Sequence, residues 1–100
     1  MIRLSYGGRF DEHDLVEYIK ATGRDYIIQG QQAVAFAHHT KPNSLDYWLR
    51  QVAPNRDTKQ ADNAVVRRLV RTKLFRVVYG LRCPDSGRFC KGLRLAKAGM

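Results

Sequence analysis

Acidic residues nearly vanish from the second half of this chain: after residue 50 only Asp57, Asp62 and Asp85 are negatively charged. They stand against twelve lysines and arginines, whereas the first half carries six of each sign. The whole net charge of +9 therefore lies in residues 51–100. Concentrated self-repulsion of this kind points to a polyanionic partner. Long hydrophobic runs are also missing. None approaches the ~20 residues that cross a bilayer, and the opening Met-Ile-Arg-Leu-Ser-Tyr-Gly-Gly lacks the basic and apolar regions of a signal peptide. The expectation is a cytoplasmic protein that does not use a membrane.

Catalytic motifs are scarce too. There is no nucleophile elbow, phosphate loop or His-Glu-x-x-His pattern. A nuclease needs clustered metal-binding carboxylates, but Asp11, Glu12, Asp14 and Glu17 read more simply as capping and surface groups of one helix. The expectation is no enzyme and no cofactor. Repeats, low-complexity tracts and linkers are absent. An apolar fraction of 44% over 100 residues is enough for one globular domain with its own core.

The first 54 residues read as short strands and helices. Ile2, Leu4 and Tyr6 alternate with polar residues as an edge strand would, and Gly7-Gly8 ends it. Asp11 is a helix N-cap, with Phe10 and Leu15 placed as a hydrophobic staple and Gly23 as the stop. Tyr26-Ile27-Ile28 is a β-type run. Gln31 to His39 is ambiguous. Its alanines favour a helix, but its alternation would also suit a strand, and helix is preferred. Ser44 caps a second helix whose Leu45, Trp48, Leu49 and Val52 fall on one buried face, and Pro54 ends it.

A long basic helix, Asp57 to about Leu74 within residues 55–75, follows after a short link. Val65, Val66, Leu69, Val70 and Leu74 share one arc, while Gln60, Ala64, Arg67, Arg68 and Arg71 share the other. The remaining unit, residues 76–96, reads as a β-hairpin. With Ser86-Gly87 at the turn, Cys83 opposes Cys90, Gly80 opposes Leu93 and Val78 opposes Leu95; a longer loop from Pro84 to Arg88 is the alternative.

A basic helix followed by a basic hairpin resembles the winged helix-turn-helix DNA-binding domains, at the level of architecture over the last half of the chain. The resemblance implies an α+β fold, a helical core with a C-terminal hairpin as wing, and a helix that enters the major groove of duplex DNA. Lys59, Gln60 and Asn63, near the helix start, would then reach base edges. Arg67, Arg68 and Arg71 would divide between bases and phosphates, and Arg82, Arg88, Lys91 and Arg94 would grip phosphate. The function implied is a DNA-binding transcriptional regulator or accessory factor. A homodimer is common for such modules, though no exposed heptad indicates one here.

Three other readings stand beside this one. RNA could take the place of DNA, although the aromatic-rich strand motifs of an RNA-recognition sheet are missing. The basic face could instead serve an adaptor or inhibitor that binds an acidic protein. Cys83 and Cys90 could be two ligands of a structural zinc site, but the spacing is wider than a usual knuckle and only His13, His38 and His39 could add imidazoles. The two thiols are more simply packed and reduced. Tyr79 and Phe89 could stack on a base, whereas packing within the hairpin is the commoner fate of such residues.

Overall fold

The computed structural model describes residues 1–4, 7–30, 43–54, 61–84 and 87–97. The stretch 31–39, read as helix or strand, lies outside these residues, as do Lys59 and Gln60.

Ile2–Arg3 (β1) pairs antiparallel with Arg9–Phe10 (β2), a partner the sequence reading did not identify. Gly7, at a φ of 94°, makes the tight reversal between them. Asp11 then starts α1, Glu12–Ala21, and its carboxylate accepts the His13 N–H. Leu15, Val16 and Ile19 turn inward, and Phe10 is buried beside them as the staple requires. The chain leaves the helix through Gly23, at a φ of 78°, and enters β3, Tyr26–Ile28.

Ser44 caps α2, Leu45–Val52, by accepting the Tyr47 N–H. Leu45, Trp48 and Leu49 are buried as expected, but Val52 is 43% exposed. The helix ends there, and the next residue, Ala53, takes the inward place. Trp48 is a core anchor. Its ring meets Phe10 edge-on at 5.2 Å and lies 6.2 Å from Tyr18.

The basic helix α3 is shorter than the sequence suggests. It runs from Asn63 to Arg71, because Asp62 has extended backbone and caps the Val65 N–H. Ala61 and Asp62 are not helical, so no continuous helix reaches from Leu74 back to Asp57. At the other end Thr72 caps and Lys73 takes a φ of 66°, which stops the helix before Leu74.

Phe75–Arg82 (β4) and Phe89–Leu95 (β5) form the hairpin, and β3 adds to it, so β5 lies between β3 and β4 in a three-stranded antiparallel sheet. The register differs from the one expected. Phe75 opposes Leu95 and Val78 opposes Gly92; then Tyr79 and Gly80 together face Lys91, and Leu81 opposes Cys90. This is a β-bulge, with Gly80 at a φ of 73° supplying the backbone that a side chain resists. The turn is a wider loop closed by Cys83 N–H donating to Arg88 O at 2.8 Å. Cys83 and Cys90 are accordingly not cross-strand partners.

One main core gathers Phe10, α1, α2 and α3 against Ile27, Phe75, Leu93 and Leu95. A smaller cluster of Ile28, Leu81 and Cys83 forms on the other side of the sheet. The result is a small compact α+β domain. Its radius of gyration, 12.2 Å, is close to the ~13 Å expected of 100 residues. Among the described residues no helix is long and apolar enough to cross a membrane.

Candidate nucleic-acid interface

Helix α3 divides as its periodicity predicts. Val65, Val66 and Leu69 are buried, while Ala64, Arg67, Arg68 and Arg71 are exposed. Arg67 and Arg71 lie one turn apart, and no carboxylate among the described residues comes within ion-pair distance of either. Arg68 is less available: its guanidinium donates to the backbone carbonyl of Arg3, tying α3 to the first strand. Arg68 and Arg71 also occupy the last turn, where cations stabilise the negative end of the helix dipole, so part of this charge has a local structural use.

The start of α3 is held by a polar network. Gln29, buried at the end of β3, donates from Nε2 to Ala61 O at 2.6 Å and reaches Asn63 Oδ1 at 3.4 Å. Asp46, buried in α2, accepts the Ala61 N–H at 3.4 Å and the Arg50 Nε–H at 3.1 Å. Lys91 on β5 donates to Asn63 Oδ1 at 2.9 Å. Asn63 therefore already serves two donors. Using its carbonyl oxygen to read a base would require releasing them.

The four cations expected on the hairpin do not share one surface. Phe89, Lys91, Leu93 and Leu95 alternate on the face turned toward the main core. Arg82, the cross-strand partner of Phe89, joins them with its guanidinium 5.6 Å from the Phe89 ring. Lys91 Nζ lies 5.8 Å from the Tyr79 ring. Arg94 points to the opposite face, 5.8 Å from the Tyr26 ring and 3.4 Å from Asp25 Oδ2, so its charge is spent within the sheet. Arg88 is exposed in the hairpin loop.

Tyr79 and Phe89 are 73% and 70% exposed. Packing within the hairpin was the expected fate of both, and the bulge explains the departure for Tyr79. The signal was Gly80, since a glycine inside a strand pattern marks a bulge.

Cys83 is buried and Cys90 half-buried, and both are reduced. Burial, and next the neighbouring Cys83, push the Cys90 thiol pKa up, with Arg88 opposing. Among the described residues the one group of three potential metal ligands is Asp11, Glu12 and His13, which includes neither cysteine. Asp11 is occupied as a cap and bonds the His13 ring at 3.1 Å, and these two bonds to His13 hold its carboxyl below the usual range.

Comparison with protein-family models, curated proteins and solved structures returns no match for this chain.

Proposed function

We propose that this domain binds duplex DNA in the manner of a winged helix-turn-helix module, with α3 presented to the major groove and the β4–β5 hairpin beside it as a wing. The observation that carries the reading is the pair Arg67 and Arg71, exposed one turn apart on α3 with no carboxylate partner among the described residues. Two guanidinium groups left to solvent on a rigid helix suit phosphate oxygens or guanine edges. Support also comes from the chain order, in which the basic helix runs directly into a hairpin carrying Arg82, Arg88 and Lys91.

On this reading Arg67 and Arg71 supply the main contacts, and Arg82, Arg88 and Lys91 add affinity through the backbone without reading sequence. Asn63 positions the helix against the sheet rather than reading adenine. The domain acts as a regulator or accessory DNA-binding factor and performs no catalysis itself.

The test is fluorescence anisotropy with a labelled mixed-sequence duplex across ~50–200 mM salt, with a single-stranded RNA in parallel. Affinity for the duplex that falls steeply with salt is the expected result. Preference for the RNA would move the function to another nucleic acid. Absence of binding to both at low salt would overturn the reading and favour an acidic protein as the partner of the basic face.

A further inference from the structure

Four large hydrophobic side chains are markedly exposed among the described residues: Met1, Val52, Tyr79 and Phe89. The last two sit on one hairpin, and each ring has a cation beside it. Such cation–aromatic pairs occur on many surfaces and can be cross-strand packing alone. Three features go further. Both rings remain about three-quarters open to solvent, so the cations do not cover them. The bulge at Tyr79 and Gly80 places Tyr79 outside the regular pairing of β4, an edge strand of the sheet among the described residues. And Lys91, the cation beside Tyr79, is bonded to Asn63 at the first turn of α3, which puts the Tyr79 ring near the start of that helix.

Open aromatic faces flanked by cations suit a ligand that offers flat π surfaces and negative charge together. Unpaired nucleotides have both, whereas bases within a duplex are already stacked on one another. We propose that Tyr79 and Phe89 are a stacking platform for unpaired bases, so that the DNA taken by this domain is a duplex adjoining a short single-stranded stretch. The duplex part lies on α3, and Arg82 and Lys91 hold the phosphates of the unpaired nucleotides. The inference rests on the DNA-binding reading above and adds the substrate form.

The experiment compares a blunt duplex with the same duplex carrying a four-nucleotide overhang, using anisotropy for affinity and 2-aminopurine in the overhang as a stacking probe. The wild-type chain is expected to bind the overhang form about tenfold more tightly, a factor in the range of one stacked base, and to quench the probe. Tyr79→Ala with Phe89→Ala should abolish the preference and the quenching while leaving affinity for the blunt duplex unchanged. Phe89→Trp in the otherwise wild-type chain should retain both. Because the two side chains are exposed, unchanged thermal melts are expected for every variant.

Equal affinity of the wild type for both forms, with blunt-duplex binding intact, would overturn the platform and leave the DNA-binding reading standing. Preference that survives loss of both rings would overturn it too. Failure to bind either form would remove the platform and the underlying reading together.

Discussion

Lys91 Nζ lies 2.9 Å from Asn63 Oδ1, and this contact joins the middle strand of the sheet to the first residue of α3. It connects the two basic elements on which the functional reading depends. A cation that was expected to grip phosphate and an amide that was expected to read a base are thus first of all partners of each other.

The contact is solvent-exposed, so its worth is modest. Lys91→Met and Asn63→Ala, combined in a double-mutant cycle followed by urea unfolding, should show a coupling of about 0.5 kcal/mol. Strict additivity of the two losses would mean that the link is not made in solution.

Asp46 should matter far more. It is buried, pairs with Arg50 and accepts the Ala61 N–H just before α3. Asp46→Ala removes the acceptor of that buried N–H together with the ion pair to Arg50, at a cost of about 2 kcal/mol. A urea midpoint unchanged from wild type would remove this network from the account of how α3 is held.

Gly92 is required by packing. A Cβ there would press on the Ile27 carbonyl oxygen and lie 2.8 Å from Ile28 Cα, where Ile28 of β3 pairs with Gly92 of β5. Gly92→Ala should destabilise by on the order of 3 kcal/mol, because the obstacle is backbone that cannot rotate away. Thermal melting would show it, and a wild-type Tm would contradict the β3–β5 register.

Cys90 contributes a pH dependence on the alkaline side. Its thiol pKa is raised, chiefly by burial, so the neutral form is favoured in the folded state. The associated stability is fully present below the unfolded thiol value, ~8.5, and is lost as pH rises through the folded pKa. Wild type should lose stability above that value more steeply than Cys90→Ala. At neutral pH an alkylating reagent should modify Cys90 slowly in the native protein and rapidly in urea. Fast native alkylation would place the thiol at the surface.

Local signals were legible in the sequence where a short-range mechanism determined the outcome. Asp11 and Ser44 cap the helices they were expected to cap, and Trp48 and Leu49 are buried by helical spacing. The division of α3 into a Val65–Leu69 side and an Arg67–Arg71 side follows from the same periodicity. Choices that depend on tertiary contacts were harder. Asp57 and Asp62 are both capping residues by type, and the network of Gln29 and Asp46 around Ala61 accompanies the start at Asn63. Hairpin register was lost first at the turn, where Cys83 pairs with Arg88 across a loop wider than two residues, and the bulge at Gly80 then shifts every partner beyond it by one more residue. The wider loop is what separates Cys83 from Cys90 as partners, and the strand period sends Arg94 to the face opposite Lys91. Pairing of β3 with β5, which makes the hairpin part of a sheet, had no sequence signature.

The most direct test of the central claim is the salt dependence of duplex binding by wild type and by a variant with both Arg67→Ala and Arg71→Ala. Both side chains are exposed, so Tm should move little. Loss of two phosphate contacts should weaken binding and lower the slope of log K against log salt by about 2. A slope and an affinity equal to wild type would mean that α3 does not face the DNA, and the account built on that helix would be wrong.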